Sequence, residues 1–404
     1  METVNILGIN VNTFTKKQVL AKIQEFLTDG RQHQIVTPNP EIILKAAGHD
    51  EELFYILNKA DLAVPDGVGL KIAGWLMGAD LSRITGADLV KDILQLAQEQ
   101  GRRVAIFNWQ AGLSGAEVIK QALADKYPNL QALALDIDQQ AVIPEDKLKP
   151  VKEFKPEIVF CTLGAPYQEK FIFYNLAKLP SVKIGIGVGG AFDFLSGRIK
   201  RAPKILRLIG LEWLWRLIKQ PRRWQRICNA VIVFPLKFFL WRFILPWRYR
   251  RNVACLLYKP ENGKFKILIV ERADESGHWQ LPQGGTDGEN LVKAGSRELR
   301  EEINTDKFKT VAVFPKINAY KFGEQISRYG VSAKLASGYR GQKQGLFIAE
   351  FTGSDADIKV NFWEHSTWRW VQAEKLAEAV HSFRQPAAKI FMEKFRETKK
   401  EKRI

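Results

Sequence analysis

Three glutamates in the last third of the chain have the type and spacing of a divalent-metal site. Glu298 precedes Glu301 and Glu302 by three and four residues, in a run that starts at Arg297. On a helix this spacing places all three carboxylates on one face, where they repel one another. A hard cation such as Mg²⁺, which prefers carboxylate oxygens, would offset the repulsion. A solvated acidic helix face is the alternative, and the glycine-containing run 279–289 just upstream disfavours it.

Polar residues at the ends of four predicted strands form a second group that could bind a ligand or carry out chemistry. The four groups begin at Thr37, Asp66, Gly164 and Gly189, each after an apolar run. Each group combines flexible backbone with side chains able to hold a hydroxylated, phosphorylated ligand. A single group of this kind is usually a turn. Four of them at strand ends, where parallel α/β sheets bind their ligands, indicate one shared site.

Strand and helix patterns alternate through residues 1–197 and predict the elements that would position this site. The apolar β-type runs are VNILGI, QIVTP, DLAVP, RVAIF, LQALAL, EIVFC and VKIGIG, with helical patterns between them. Such alternation is typical of a parallel sheet with crossover helices. We therefore predict a Rossmann-like parallel α/β domain over 1–197.

A basic, tryptophan-rich segment, the appendage, follows at 198–250. From Arg198 to Arg251 the chain has fifteen Lys and Arg against one acid, Glu212, which is a net +14 of the chain's +17. Five tryptophans are interleaved with these cations, at positions 213, 215, 224, 241 and 247. Aromatic rings among cations are typical of a segment at the lipid headgroup boundary. Nucleic-acid binding and a helix buried in the core are the two alternatives.

The most apolar part of the appendage runs over 230–246. It is interrupted by Pro235, Lys237 and Arg242 and is shorter than the roughly 20 residues of a spanning helix. We therefore expect the appendage to lie on an anionic membrane surface and not to cross the bilayer. The chain starts METVNILGINVN, without a basic start followed by an apolar run. A cytoplasmic protein, peripheral at the inner face of the cell membrane, is the expectation.

Residues 1 to about 228 resemble the WecG/TagA/CpsF family of glycosyltransferases. The resemblance rests on TPNPE, ADLAVPDGVG, ITGADL, LGAPYQEK, GVGGAFDFLSGRIKRAP and LEWLWRLIKQPRRWQR, in that order. It implies transfer of an N-acetylhexosamine, typically N-acetylmannosamine from its UDP donor, to undecaprenyl-diphosphate-linked N-acetylglucosamine with inversion. Cell-envelope polysaccharide synthesis is the implied setting, and no cofactor is implied for this domain.

This resemblance also implies roles for individual residues. Asp66 would be the general base that takes the proton of the acceptor hydroxyl, with a helix-capping aspartate as the alternative. The polar groups around donor and acceptor sugar would be Thr37, Asn39, Arg83 and Gln168. The appendage cations that steady the diphosphates would be Arg216, Arg222 and Arg226.

The run Asp136-Ile-Asp138 has the spacing of a metal-binding DxD motif. It falls at the end of a predicted strand, where solvated acids are ordinary. The family resemblance does not depend on such a motif, so we assign no metal to it.

Residues 251–404 form a predicted third segment. The runs VACLLY and KILIVER predict a β-hairpin, and WQLPQGG leads into the glutamate helix. With GYRGQKQGLF and WRWV, these runs resemble the Nudix hydrolases that act on dinucleoside polyphosphates or RNA 5′ ends. The resemblance covers about 250–397 and implies an α/β/α sandwich with a mixed sheet. It also implies Mg²⁺-dependent attack of water on a phosphorus of a nucleoside polyphosphate.

The Nudix resemblance implies that Glu298, Glu301 and Glu302 bind Mg²⁺ and that one of them, or Glu364, positions the water. Arg297 would hold the helix and its loop by pairing within the motif. Cationic and aromatic side chains that could hold phosphates or stack on a base include Arg251, Tyr320 and Lys343.

The Nudix motif departs from its usual pattern at two places. The loop from Gly284 to Glu289 is one residue short, and Asn304-Thr305 replaces a glycine and an aliphatic residue. Asn304 tolerates the left-handed conformation that glycine would supply at a helix end. Two alternatives therefore stay open: a weakly active nucleotide-binding module that regulates the transferase, and a protein that handles RNA 5′ ends. A homo-oligomer is also open.

Overall fold

The computed structural model describes residues 2–48, 50–203, 205–206, 210–323 and 337–402. Within the chain, a division between two units falls between Phe239 and Leu240.

The first unit is built on a parallel sheet. Its strands are β1 (Thr3–Ile6), β2 (Ile9–Asn12), β3 (His33–Val36), β4 (Leu62–Ala63), β5 (Val104–Trp109), β6 (Ala132–Ile137), β7 (Ile158–Cys161) and β8 (Ile184–Gly187). Six of these pair in the order β4-β3-β8-β7-β5-β6, with every pair parallel. Strands β3, β7 and β8 are buried along their whole length, as expected when helices cover both faces. The predicted parallel α/β class is confirmed.

Nine helices flank the sheet among the described residues up to 197. They are α1 (Lys16–Phe26), α2 (Pro40–Ala46), α3 (Glu51–Lys59), α4 (Val68–Leu76), α5 (Gly86–Glu99), α6 (Ala116–Lys126), α7 (Glu145–Phe154), α8 (Tyr167–Asn175) and α9 (Ala191–Leu195). Side chains alternate along β5, so Val104 and Ile106 pack with α1, α5 and α6. Ala105 and Phe107 point to the opposite face and pack with α7 and α8. The sheet therefore separates two apolar cores.

The run VNILGI is not a strand of the parallel sheet, contrary to the prediction. It forms β1, which pairs only with β2 in a separate antiparallel hairpin among the described residues. The two turn residues, Leu7 and Gly8, both have positive φ, 52° and 88°. A two-residue turn with positive φ at both positions matches the twist of the two strands that it connects, so the chain folds back as a tight hairpin.

The appendage is helical, and its longest helix extends beyond the predicted apolar run 230–246. It contains α10 (Glu212–Lys219), α11 (Trp224–Cys228), a π-helical turn (Asn229–Val233) and α12 (Phe234–Phe239). One helix among the described residues, Pro221–Trp247 with 27 residues, has the length and composition to cross a membrane. Only 17% of its most apolar stretch is buried in the protein. The prediction that this segment lies on a bilayer surface stays a prediction.

Pro235 interrupts the apolar run of the sequence but does not end the helix. The proline follows a π-helical turn, in which the wider winding replaces the usual bonding pattern. A residue without a backbone N–H is tolerated at such a place because the ordinary i to i−4 bond is already absent.

The second unit is a mixed sheet between helices. Its strands are β9 (Tyr249–Glu261), β10 (Lys264–Arg272), β11 (Trp279–Gln280), β12 (Gln283–Gly285), β13 (Phe308–Lys321), β14 (Gly341–Phe351) and β15 (His365–Gln372). Its helices are α13 (Leu291–Ile303), α14 (Leu376–Ala379) and α15 (Gln385–Lys402). Strand β9 pairs parallel with β14 and antiparallel with β10, which confirms both the mixed sheet and the predicted hairpin. Apolar cores with α13 and with α15 lie on opposite faces, as the predicted α/β/α sandwich requires.

Candidate active sites

The four polar strand ends of the first unit belong to four adjacent strands. The order β4-β3-β8-β7 places the loops that follow these strands at one edge of the sheet. The hydroxyl of Thr37 donates to the carbonyl of Gly187 at 3.0 Å and so ties the ends of β3 and β8 together. The backbone N–H of Asp66 donates to the carbonyl of Pro38 at 2.9 Å. The structure therefore brings these loops into one candidate site.

Asp66 lies in the loop between β4 and α4. The N-cap residue of helix α4 is Gly67, and the recorded hydrogen bond of the Asp66 carboxylate is with Gly86, the first residue of α5, and not with α4. The Oδ2 atom of Asp66 accepts this long hydrogen bond, 3.4 Å, from the backbone N–H of Gly86. Burial raises the pKa of Asp66 above its ordinary value, although the positive charges of Arg216 and Arg83 oppose the shift. A carboxylate with a raised pKa is a better proton acceptor near neutral pH.

A buried acid from the appendage joins the arginines near Asp66. Glu212 is 7% exposed, and its Oε2 accepts from Nη2 of Arg83 at 2.6 Å. Its Oε1 accepts from Nη2 of Arg216 at 3.2 Å. The sequence identified both arginines but not this acid, because no local pattern shows that α10 reaches the loop between α4 and α5. Its one signal was that it is the single acid among fifteen cations.

The appendage places several guanidinium groups close together. Arg226 donates to Glu41 on α2 at 2.7 Å, while Arg222 is exposed. Burial together with the charges of Arg226 and Arg216 lowers the pKa of Arg223 to about 10. Crowded cations of this kind favour an anionic ligand. Arg223 was missed because sequence alone does not show which residue of an Arg-Arg pair turns toward the protein.

Two other predicted sugar contacts have roles within the fold. Gln168 is 3% exposed, and its Oε1 accepts from the backbone N–H of Gly189 at 2.9 Å. Its Nε2 donates to Glu169 at 2.7 Å. Asn39 caps α2 by accepting from Ile42 at 2.9 Å. Both support the loops at the strand ends, and their contacts with sugars stay predictions.

The first carboxylate of the DxD run is engaged in the fold. Asp136 accepts from the backbone N–H of Ala116 at 3.0 Å, at the start of α6, and from Asn108 at 2.7 Å. This arrangement accounts for the acid without a metal.

The glutamate helix of the second unit is α13, and it buries two of its three carboxylates. Glu298 is 6% exposed and Glu302 is 4% exposed. Glu302 accepts from the backbone N–H of Gln283 at 3.1 Å and contacts Nε2 of His365 at 2.9 Å. Glu298 lies so close under Gly284 that a Cβ there would overlap its carboxylate. His365, which sequence reasoning missed, follows directly after the predicted Glu364.

Arg297 ties the helix to the glycine loop. Its Nη2 donates to the carbonyl of Gly285 at 2.7 Å, and its Nε donates to Glu289 at 3.0 Å. Its Nη1 donates to both Glu298 and Glu301 at 2.8 Å. The predicted pairing of Arg297 is present, and Glu289 stays in contact with the helix despite the shortened loop. Asn304 ends the helix in the left-handed conformation, with φ 52° and ψ 37°.

The donor set of α13 suits a hard cation. The carboxylates of Glu298 and Glu301 converge on one positive charge, the Nη1 group of Arg297. Glu302 turns instead toward Gln283 and His365. In the described part of the chain the three carboxylates do not all have oxygens within 4.8 Å of one another. The residue types fit Mg²⁺, while the third carboxylate would have to exchange partners to join the other two.

A turn beside α13 contains the remaining predicted catalytic residue. Glu364 is half-buried, and its backbone N–H donates to the carbonyl of Asn361 at 3.0 Å. Asn361 in turn donates from its side chain to the carbonyl of Glu301 at 2.6 Å. The turn that carries Glu364 therefore lies against the end of the glutamate helix.

The predicted nucleotide-binding side chains divide between the two faces of the sheet. Arg251 and Lys343 are paired across β9 and β14, and both are exposed. Tyr320 pairs with Gln342, one residue away on β14, so it points to the opposite face. Its hydroxyl donates to Gln342 and accepts from Arg384, both at 2.6 Å. Two like charges facing each other are unfavourable unless an anion lies between them, which favours Arg251 and Lys343 as phosphate contacts.

Two family models match the chain. The glycosyl transferase WecG/TagA/CpsF family matches residues 4–248, and the NUDIX domain matches residues 248–394. The N-acetylglucosaminyldiphosphoundecaprenol N-acetyl-beta-D-mannosaminyltransferase of Bacillus subtilis (strain 168) is 34% identical over 199 residues, 48% of this chain and 75% of that protein. The protein of the same name from Staphylococcus aureus (strain MW2) is 31% identical over 231 residues, 55% and 86%.

Solved structures resemble about a third of this chain at low identity. The binary complex of the Caenorhabditis elegans Ap4A hydrolase covers 35% of this chain and 94% of its own, with 18% identity and a TM-score of 0.27. The Escherichia coli dihydroneopterin triphosphate pyrophosphohydrolase covers 36% and 97%, also with 18% identity and a TM-score of 0.27.

Proposed function

Because the chain belongs to the WecG/TagA/CpsF family of glycosyltransferases and carries a Nudix hydrolase domain, we propose that it catalyses one reaction in each unit. The first is transfer of N-acetylmannosamine, with inversion, from UDP-N-acetylmannosamine to undecaprenyl-diphosphate-linked N-acetylglucosamine. The names of the two bacterial relatives support this substrate pair. The observation that carries the proposal is a carboxylate of raised pKa, Asp66, at a strand end beside Arg83 and Arg216.

The residues of the first site match the demands of this reaction. As the acceptor hydroxyl attacks the anomeric carbon, Asp66 accepts the hydroxyl proton. The new glycosidic bond forms on the face opposite the leaving group, and the bond from the anomeric carbon to UDP breaks. The guanidinium groups of Arg216, Arg222, Arg223 and Arg226, with Arg83, stabilise the diphosphates of donor and acceptor. Thr37, Asn39 and Gln168 shape the loops that surround the sugars.

The transfer is tested with purified full-length protein and a synthetic lipid-diphosphate acceptor. UDP-N-acetylmannosamine should yield the disaccharide lipid together with UDP, with the β configuration at the new linkage. UDP-N-acetylglucosamine, which differs at one carbon, is the matched control donor and should react at least about tenfold more slowly. Absence of product from UDP-N-acetylmannosamine, or an equal rate with UDP-N-acetylglucosamine, would refute the assignment.

We place this reaction at the inner face of the cell membrane. The appendage supplies exposed cations and tryptophans, and the acceptor itself is a membrane lipid. Each Lys or Arg near an anionic surface contributes about 1 kcal/mol to binding, so a few engaged residues suffice. Flotation with anionic vesicles should recover the protein, and flotation with neutral vesicles should recover much less. Equal recovery from both, or from neither, would contradict electrostatic attachment.

The second reaction proposed is hydrolysis of a nucleoside polyphosphate. Glu298, Glu301 and Glu302 would hold Mg²⁺, which when bound neutralises phosphate charge and activates water. Arg251 and Lys343 bind phosphates, and Glu364 accepts a proton or orients the water from the turn beside α13. Arg297 keeps the helix and the glycine loop together.

The nature of the second substrate is tested with a panel of phosphate compounds. Dinucleoside tetraphosphates, nucleoside triphosphates and 5′-triphosphate RNA are compared with and without Mg²⁺. We expect Mg²⁺-dependent release of a nucleoside phosphate. The engagement of Glu302 by Gln283 and His365 favours one alternative, a nucleotide-binding module that regulates transfer. Nucleotide binding without turnover, accompanied by a changed rate of sugar transfer, would select that alternative.

A further inference from the structure

Helix α4 has an exposed apolar face immediately after the proposed catalytic base. Its inward face buries Leu70 and Ala73. Its outward face exposes Ile72 at 54%, Trp75 at 74% and Leu76 at 42%. The spacing of three and four residues puts these three side chains on one side of the helix. Grouped, exposed apolar side chains of this size mark an interaction surface.

A second exposed apolar face lies on a neighbouring element of the same unit. Helix α12 packs on α4, where a Cβ at Gly69 would lie 3.7 Å from the ring of Phe234. The outer side of this helix and the turn before it expose Ile232 at 60%, Leu236 at 58% and Phe239 at 52%. A second exposed apolar face therefore lies on the part of the long appendage helix that packs on α4.

Charge distinguishes the partner of this surface. Lys71 on α4 and Lys237 on α12 are both exposed among the apolar side chains. A second copy of the chain, docked by two-fold symmetry, would bring the same cations toward one another. An anionic bilayer instead supplies headgroups for the lysines and acyl chains for the apolar groups, and Trp75 suits the boundary between them.

We propose that α4 is a second membrane-contacting element, which inserts Ile72, Trp75 and Leu76 into the outer acyl region of an anionic bilayer. The inference rests on the proposed transfer to a lipid-linked acceptor. Gly67 is the one residue between Asp66 and α4, so the depth of α4 in the bilayer sets the height of Asp66 above it. The acceptor diphosphate lies at headgroup level, where a base held at this height reaches the sugar attached to it.

The test uses full-length protein with Trp75→Phe and with the double variant Ile72→Ser/Trp75→Ser. Vesicles of anionic lipid with brominated acyl chains quench tryptophans that enter the acyl region, and the difference between wild type and Trp75→Phe isolates Trp75. Transfer by the double variant is measured with a long-chain acceptor in vesicles and with a short-chain, water-soluble acceptor. Leu113→Ser, at a position 61% exposed between β5 and α6, is the matched control.

In the wild type we expect the brominated lipid to quench Trp75. In the double variant, transfer to the vesicle-bound acceptor should fall about tenfold, and transfer to the soluble acceptor should fall less than about twofold. Leu113→Ser should behave as the wild type with both acceptors. Unquenched Trp75, or a double variant that acts normally on vesicles, would overturn the inference. So would a wild-type dimer that the double variant Ile72→Ser/Trp75→Ser converts to a monomer, without any quenching of Trp75 by lipid. If the wild type transfers to neither acceptor, the proposed function fails, while quenching still reports separately on α4.

Discussion

The carboxylate of Glu212 accepts a 2.6 Å hydrogen bond from the guanidinium of Arg83, across 129 positions of sequence. The contact joins the appendage to the loop between α4 and α5. Burial raises the pKa of Asp66, and the negative charge of Glu212 adds to this effect. The appendage therefore contributes to the environment of the proposed base as well as to anion binding.

Glu212→Gln should slow sugar transfer by about tenfold or more, because Arg83 and Arg216 lose the charge that holds them. Removal of the same negative charge favours ionised Asp66, so the acid limb of kcat/KM should move to lower pH. A pH profile of kcat/KM checks both effects. Glu117→Gln, which removes the exposed partner of Lys120, is the matched control. An unchanged rate and profile in Glu212→Gln would show that the contact is structural.

Asp66→Asn should lower turnover by about 10² to 10⁴, the usual cost of losing a general base. The affinity for UDP, the nucleotide part of the donor, should change little because the amide keeps the shape of the side chain. Calorimetry with UDP measures this affinity. Asp138→Asn serves as the control and should retain wild-type turnover if the DxD run holds no metal. Normal turnover in Asp66→Asn would show that Asp66 is not the general base.

Glu169 should make the stability of the first unit depend on pH. Its side chain is 1% exposed, and burial raises its pKa from 4.5 to about 7. The folded state therefore favours the protonated form, whose stabilisation is fully present below pH 4.5 and lost as pH rises through about 7. Glu169→Gln, which cannot ionise, should be more stable than the wild type at pH 8 by up to about 3 kcal/mol. Urea unfolding at pH 4.5 and pH 8 checks this, and equal differences at both would contradict it.

Gly284→Ala should abolish most of the hydrolase activity without affecting sugar transfer. A Cβ at this position overlaps the carboxylate of Glu298, so the carboxylate or the loop has to move. We expect a fall of about tenfold or more in Mg²⁺-dependent hydrolysis. Gly263→Ala, in the β9–β10 turn with nothing within 4 Å, should reduce stability at most. Equal hydrolysis by wild type and Gly284→Ala would show that the position of Glu298 is not critical.

Local periodicity explains how much of the fold the sequence predicted. The alternation of strand and helix patterns predicted the parallel sheet, and the alternation of residue types within two strands predicted the β9–β10 hairpin. The spacing from Glu298 to Glu302 predicted that the glutamates lie on one face of a helix. The tolerance of asparagine for positive φ explained why Asn304 can end that helix. Each of these features depends on residues within a few positions of one another.

Features that depend on distant residues were not predictable. The bond between Arg83 and Glu212 exists only because α10 folds back onto the sheet edge. The separation of Tyr320 from Lys343 depends on the register between β13 and β14, which side-chain types do not specify. The helix continues through Pro235 next to a π-helical turn, whose backbone hydrogen bonding the side-chain periodicity did not indicate.

We propose that the chain carries two catalytic sites, one in each unit, each with its own residues. The rates of sugar transfer and of Mg²⁺-dependent hydrolysis, both measured in Asp66→Asn and in Glu301→Gln, test whether the two sites are separate. We predict that Asp66→Asn loses transfer and keeps hydrolysis, while Glu301→Gln loses hydrolysis and keeps transfer. Loss of both reactions in either variant would contradict the claim.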